Sequence, residues 1–150
     1  MIQLADEVFA VRSDPDQLDV NQDVLERLRR IHPSTVSEYD DGNGPAAWLL
    51  LIPTTTELMQ RFLDHKLTER ELFDNTPLDT TYDALYLCSA MVLEEYRRKG
   101  IIKRLALKAI GDIRKDHLLQ YLFVWAFTPE GDMAAERLAN KVSLPLLQRS

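Results

Sequence analysis

Apolar positions divide the C-terminal half of the chain into a strand, a helix and a second strand. The run from Ala84 to Leu93 is almost continuously apolar, which is typical of a strand buried on both faces of a sheet. From Ile101 to Ile113 apolar residues recur at helical spacing, and Leu119 to Phe127 form another apolar run. This order predicts a right-handed crossover between two parallel strands.

The N-terminal half predicts further strands and a helix. Val8 to Arg12 is a candidate first strand, and an apolar stripe predicts a helix over Asn21 to Ile31 that Pro33 ends. The turn sequence Asp-Asp-Gly-Asn-Gly lies between two candidate strands, Thr35 to Tyr39 and Ala46 to Ile52. Such a turn is a strong hairpin signal.

Short motifs place the remaining elements. Thr54–Glu57 and Thr68–Glu71 each have the spacing of a capping box, so each predicts the start of a helix. Asp132 to Lys141 is predicted as a last helix capped by Asp132, and Val142 to Leu147 as a short closing strand. Strands alternating with helices predict an α/β fold, here as a single domain over residues 1–150.

Composition narrows the classes of protein. The formal net charge of −6 argues against nucleic acid as the main partner. The single cysteine, Cys88, cannot form an internal disulfide, so a reducing compartment is expected. The N-terminus is too acidic for a signal peptide, and no apolar run is long enough for a membrane span. We therefore expect a cytoplasmic protein without a membrane partner.

Positive charge concentrates after the central strand. Residues 94–116 carry a formal charge of +4, and the rest of the chain carries −10. A strand, a turn with Gly100 and a helix N-terminus form a natural anion site, because the first helical amides lack internal partners. The nearby cations suit phosphate; they are Arg97, Arg98, Lys99 and Lys103. The alternative is a solvated, charged turn between two core elements.

Two phrases in this region resemble the GNAT acetyltransferase superfamily. In Val92 to Ile102, VLEEYRRKGII, Arg97 and Gly100 match the superfamily signature Gln/Arg-x-x-Gly-x-Gly/Ala, and Ile102 replaces its last small residue. Asp132 to Leu144 has the spacing of a second phrase, from the last helix, and matches it at Ala135, Leu138 and Lys141. The resemblance covers about residues 84–144 and implies a GNAT-like mixed sheet of about six strands flanked by helices.

The resemblance implies acetyl-CoA as cofactor. Backbone amides at the helix start would hold the pyrophosphate, and the backbone of the central strand would pair with the pantetheine arm where two strands splay apart. Glycine suits the turn because phosphate must approach the backbone closely. The cofactor-binding residues that follow are Ala90, Val92, Arg97, Arg98, Lys99, Gly100, Ile101, Ile102 and Lys103, with Asp132 as a further contact. We expect the Ile102 side chain to point into the core and leave its amide for phosphate.

Catalytic residues are less clearly marked. Ala139 occupies the position where the superfamily often has a tyrosine acid, and Tyr86 occupies the position where some members have a glutamate base. A phenol with an ordinary pKa near 10 is a poor base at neutral pH but can donate a proton, so Tyr86 is the candidate catalytic acid. Tyr86 and Cys88 share a strand face, and the alternative is that both belong to the core. The three histidines are scattered and predict no metal site.

Three functions remain open from the sequence. The first is an N-acetyltransferase that moves an acetyl group from acetyl-CoA to an unidentified small-molecule or peptide amine. The second is a non-catalytic acyl-CoA-binding module of the same fold, favoured by Ala139 and Tyr86. The third is a nucleotide-binding regulatory domain, which ranks last because the chain has no Walker lysine motif and no complete glycine fingerprint. The short C-terminal segment suggests that a second copy in a homodimer completes the sheet.

Overall fold

A mixed sheet of six strands forms the centre of the described part of the chain. The structure is a computed structural model that describes residues 6–7, 21–42, 44–93, 96, 99–125 and 129–149. The strands are β1 (Asp6–Glu7), β2 (Val36–Asp40), β3 (Pro45–Thr54), β4 (Ala84–Val92), β5 (Tyr121–Val124) and β6 (Leu146–Gln148). Their order is β2-β3-β4-β5-β6, and β1 pairs with β4. The predicted strand at Val8–Arg12 lies outside the described residues.

Helices cover both faces of this sheet. They are α1 (Gln22–Ile31), α2 (Thr56–Leu63), α3 (Glu69–Asn75), α4 (Ile101–Asp116) and α5 (Pro129–Val142), with a short 3-10 turn at Pro33–Thr35. β4 and β5 are parallel and joined by α4, which confirms the predicted crossover. β2 and β3 form the predicted antiparallel hairpin. None of the described helices has the length and apolar character needed to span a bilayer.

The helix starts test the capping predictions. Asn21 caps α1 by accepting a hydrogen bond from the Val24 amide at 3.0 Å. Thr68 and Glu71 form the predicted capping box of α3. The prediction for Thr54 was wrong, because Thr55 caps α2 instead. Thr54 is the last residue of β3, where its buried hydroxyl bonds that of Thr76 at 2.8 Å.

The C-terminal boundaries also differ from the prediction. α5 begins at Pro129, so Asp132 lies within the first turn and the prediction that it caps the helix was wrong. Proline suits the first helical position because the amide it lacks would have no partner there. α5 extends to Val142, and the closing strand β6 begins only at Leu146, after Pro145.

The sheet separates two apolar cores. The α4-side core contains β-strand residues Leu49, Leu51, Leu85, Leu87, Ala90 and Val92, together with side chains of α4 and α5. The α1-side core contains Leu50, Ile52, Ala84, Tyr86, Cys88 and Phe123, together with side chains of α1, α2 and α3. Burial of both faces explains why β4 lacks alternating polar residues.

A β-bulge at Cys88 changes the phase of β4. Leu50 of β3 lies opposite Ser89, but Leu51 lies opposite Leu87, so Cys88 is an extra residue in β4. Before the bulge the odd-numbered residues of β4 face the α4 side; after it, Ala90 and Val92 do. Tyr86 and Cys88 therefore share the opposite face, as predicted.

Candidate functional site

The N-terminus of α4 presents backbone donors that no carbonyl of the helix itself satisfies. The first backbone bond of this helix runs from the Arg104 amide to the Gly100 carbonyl at 3.0 Å. The amides of Ile101, Ile102 and Lys103 precede that bond, so they have no partner within the helix itself. Gly100 caps the helix without a side-chain hydrogen bond. Three donors and the positive end of the helix dipole therefore favour an anion here.

The backbone conformation at Gly100 favours glycine. Its φ of 71° and ψ of 18° lie in the left-handed region, which most residues with a side chain avoid. Among the described residues, a β-carbon at this position would meet only Arg104 Nη1 at 3.9 Å, an ordinary contact distance. Space is therefore not the limitation, and asparagine or aspartate, which tolerate this conformation best, could replace the glycine.

Side chains around this helix start are basic and exposed. Lys99 and Lys103 are both exposed, and Lys99 Nζ lies 5.3 Å from the centroid of the Tyr96 ring. Arg104 Nη1 donates to the Lys99 carbonyl at 3.1 Å, which ties the turn to the helix. Arg97 and Arg98, two of the predicted phosphate ligands, lie outside the described residues.

Ile102 joins the core beside this site. Its side chain is buried in the α4-side core with Ala106, and Leu105 packs against the same cluster. The structure thus confirms the prediction that Ile102 points inward. Its amide remains at the helix start, so the large side chain does not by itself obstruct an anion there.

The edge of β4 that faces away from β3 is only partly paired in the described residues. The Leu93 amide bonds the Ala46 carbonyl of β3 at 2.9 Å, so by strand alternation the polar groups of Ala90 and Val92 point to the opposite edge. On that edge β5 pairs with β4 from Ala84 to Leu87, and β1 pairs at Met91 and Val92. The backbone at Ala90 lies between these two partners.

Asp132 and Ala139, the two positions on α5 singled out by the family resemblance, both contact other parts of the fold. Asp132 is half-buried and its Oδ1 accepts a hydrogen bond from Gln148 Nε2, which connects α5 to β6. Ala139 is buried in the α4-side core. The role of Asp132 at the cofactor stays a prediction.

Tyr86 is fully buried and bonds a second buried polar residue, Glu69. Its side chain has 0 % of its surface exposed, and its hydroxyl donates to Oε2 of Glu69, also 0 % exposed, at 2.5 Å. The rings of Phe62 and Phe123 lie with centroids 5.0 Å from that of Tyr86. Burial, followed by the negative charge of Glu69, raises the pKa of Tyr86 well above 10.0. The phenol therefore stays protonated at physiological pH.

This environment makes Tyr86 a weak acid. A leaving thiolate with an ordinary thiol pKa near 8.5 is a weaker base than the Tyr86 phenolate, so proton transfer from Tyr86 to it is uphill. The phenol proton is also already donated to Glu69. The assignment of Tyr86 as catalytic acid stays a prediction, and a role in holding Glu69 fits these contacts better.

Two residues in this region were not predicted. Glu69 begins α3, and Arg149 follows β6. The guanidinium carbon of Arg149 lies 4.3 Å from the Trp125 ring centroid and 4.5 Å from that of Phe62. Neither residue carries a local signal, because Glu69 belongs to a polar helix start and Arg149 to a polar C-terminal stretch.

Among the described residues, no group of three or more His, Cys, Asp or Glu side chains is placed to hold a metal ion.

Comparison with known proteins identifies the family. No curated protein and no solved structure matches the chain. The family described as Acetyltransferase (GNAT) family matches residues 6–143, which is most of the sequence. The match includes the α4 helix start, the open part of β4 and α5. The chain belongs to the GNAT acetyltransferase family.

Proposed function

We propose that this protein transfers an acetyl group from acetyl-CoA to an amine by direct attack. Membership of the family supports acyl transfer from acyl-CoA in general terms. The observation that best supports acetyl-CoA as the cofactor is the start of α4. There, three amides and a left-handed Gly100 adjoin exposed lysines. A pyrophosphate is the part of coenzyme A that such a helix terminus would bind.

The helix start and the strand edge together support a position for the proposed cofactor. The amides of Ile101, Ile102 and Lys103 bind the pyrophosphate, with Lys99 and Lys103 supplying charge. The pantetheine amides pair with the backbone of Ala90 on the edge of β4 that faces away from β3. Pairing at Val92 requires β1 to move, because β1 occupies that edge. Arg97 and Arg98 keep their proposed roles as further phosphate ligands.

The reaction needs two proton movements. The neutral amine nitrogen attacks the thioester carbonyl carbon, and the carbon–sulfur bond then breaks. The attacking nitrogen loses a proton, and the departing thiolate of coenzyme A gains one. Tyr86 on β4 is the candidate donor to sulfur, and solvent is the competing source. The acceptor is a small-molecule or peptide amine. The location is cytoplasmic, which a single, buried cysteine, Cys88, fits.

A second function is a non-catalytic module that binds acyl-CoA. Two observations favour it: Ala139, buried in the core, supplies no acid from α5, and the Tyr86 hydroxyl is bonded to Glu69. The cofactor site at α4 would be the same in both functions. They differ only in whether bound acetyl-CoA reacts.

Calorimetry with acetyl-CoA, CoA and ATP tests the ligand first. We expect both CoA compounds to bind in a 1:1 ratio and more tightly than ATP, because only they carry a pantetheine arm to pair with β4. Equal affinity for ATP would favour the nucleotide-binding alternative. Release of free thiol from acetyl-CoA in the presence of a panel of amines then tests catalysis. Tight CoA binding without any amine-dependent release would favour the non-catalytic module.

A further inference from the structure

Arg149 is a buried cation with unused hydrogen-bond donors. Only 7 % of its surface is exposed, and its Nε and Nη1 atoms have no hydrogen-bond partner among the described residues. The rings of Trp125 and Phe62 lie 4.3 and 4.5 Å from its central carbon. Cation–π contact compensates part of the lost hydration, but it leaves the N–H groups at the guanidinium edge unsatisfied.

A comparison with Arg27 shows what is unusual at Arg149. Arg27 also lies over an aromatic ring, Phe73, and also has a buried Nε without a partner in the described part of the chain. Its Nη2, however, donates to the Thr76 carbonyl at 2.8 Å, so the group is anchored within the protein. Two of the three Arg149 nitrogens have no such bond. A buried guanidinium normally has acceptors, because the penalty for leaving them out is large.

The position of Arg149 is that of a ligand site. Its backbone amide bonds the Val124 carbonyl at 3.0 Å, so it lies at the carboxyl ends of the parallel strands β5 and β6. Ligands of open α/β sheets bind at this edge. The positive charge of Arg149 is also close enough to Tyr86 to lower the pKa of that phenol. Tyr86 lies two residues before the bulge at Cys88, and the pairing of β4 with β5 ends at Leu87. Arg149 therefore lies near the open part of β4 where an acyl group would arrive.

We infer that Arg149 binds a carboxylate carried by one of the two substrates. Carboxylate is the planar anion that best matches guanidinium N–H groups, and Nε and Nη1 of Arg149 have no acceptor within the described part of the chain. The inference rests on the proposed acyl-transfer function. The carboxylate belongs either to the acceptor amine or to the acyl chain of the cofactor. The competing role for Arg149 is a purely internal one, as the counter-charge of buried Glu69.

The first arm of the test varies the acceptor. Amino acids are compared with their carboxamides as acceptors of acetyl groups, in the wild-type protein and in Arg149→Gln. We expect a preference in kcat/KM of roughly 10- to 100-fold for the carboxylate form in the wild type, and none in the variant. Arg149→Lys keeps the charge but not the planar group, so it should retain part of the preference. Arg70→Gln, which removes an exposed arginine of α3, is the control and should retain all of it.

The second arm varies the acyl chain and needs no turnover. Calorimetry compares malonyl-CoA with acetoacetyl-CoA, which replaces the carboxylate by a neutral group of similar shape. If the acyl chain carries the anion, malonyl-CoA binds roughly 10-fold or more tightly in the wild type only. A carboxylate preference in either arm that Arg149→Gln removes supports the inference and identifies the source. Absence of such a preference in both arms overturns it.

Stability measurements identify the competing role. If Arg149 only balances Glu69, Arg149→Gln lowers the melting temperature, and adding Glu69→Gln restores it without any carboxylate preference in the wild type. That result overturns the inference. Binding of CoA itself keeps the two proposals separate. If the wild type binds CoA but shows no carboxylate preference, only the proposed role of Arg149 is contradicted. If the wild type does not bind CoA at all, the proposed function itself is contradicted.

Discussion

The two faces of the sheet hold polar groups in opposite ways. On the α4 side the candidate site consists of backbone amides at a helix start, flanked by the exposed side chains of Lys99 and Lys103. On the α1 side the buried polar groups include the side chains of Tyr86, Glu69 and Arg149, all nine-tenths or more buried. When no ligand is bound, backbone amides at a helix start can take water as a partner. Buried side chains need one, which is why Tyr86 bonds Glu69 and why Arg149 stands out.

The difference suggests a division of labour. The α4 side has the features of a site for the part of the cofactor common to all acyl-CoA compounds, since amides recognise phosphate whatever the acyl chain. If Arg149 binds a carboxylate as proposed, the α1 side distinguishes between substrates. Substitutions on the two faces should therefore affect different measurements.

The largest expected effect is at Gly100. Gly100→Asp places a carboxylate at the helix start, where the pyrophosphate would bind, and should weaken CoA binding by more than about 100-fold. Gly100→Asn is the matched control, because asparagine has nearly the same shape and also tolerates the left-handed conformation. Calorimetry should show that Gly100→Asn retains most of the affinity. An equal loss of CoA affinity in both variants would mean that the backbone conformation at position 100, and not the added charge, controls CoA binding.

Tyr86→Phe tests whether the α1 side takes part in the chemistry. As a proton donor, Tyr86 should contribute on the order of 100-fold to kcat, with CoA affinity nearly unchanged. As a purely structural partner of Glu69, its loss should instead lower the free energy of unfolding by about 1–3 kcal/mol and leave kcat nearly intact. Steady-state kinetics and urea unfolding of the same preparation distinguish the two results.

Ile102→Ala tests whether packing and phosphate binding at α4 are separable. Removing most of a buried side chain from the α4-side core should lower the free energy of unfolding by about 2–4 kcal/mol. The amide at position 102 remains, so CoA affinity should change by less than about threefold once the protein is folded. A loss of affinity comparable to that in Gly100→Asp would show that the side chain itself shapes the phosphate site.

The smallest expected effect is a pH dependence of the protein's stability that originates at His117, which caps the C-terminus of α4. Burial, followed by the nearby His32, lowers the pKa of His117 from its ordinary 6.5, and its Nδ1 accepts a hydrogen bond from the Tyr82 amide at 3.2 Å. Below pH 6.5 the unfolded chain binds the proton more readily than the folded one, so stability should fall as pH decreases towards 5.

Thermal unfolding between pH 7 and pH 5 measures this slope. His117→Asn should reduce the dependence of melting temperature on pH. His65→Asn is the control, because His65 is exposed and its φ of 62° suits asparagine. A slope that His117→Asn leaves unchanged would mean that other groups dominate the acid response.

Local sequence predicted the elements that depend on local physics. The hairpin, the first helix, the capping box at Thr68 and the strand–helix–strand crossover all appear where the pattern placed them. The errors are boundary errors of local origin. Two adjacent threonines competed to cap α2, and Pro129 started α5 three residues before the acidic residue that resembled its cap.

The sequence by itself determined the α4 side of the candidate site, because a glycine turn, a basic cluster and a helix start adjoin one another along the chain. Tertiary structure decided the α1 side, where Tyr86, Glu69 and Arg149 come from three distant segments. It also decided which residues of β4 face which core. Strand alternation continued through position 88 would have placed Tyr86 on the same face as Ala90 and Val92. The bulge at Cys88 separates them, because one extra residue reverses the alternation, and pairing with β3 reveals it.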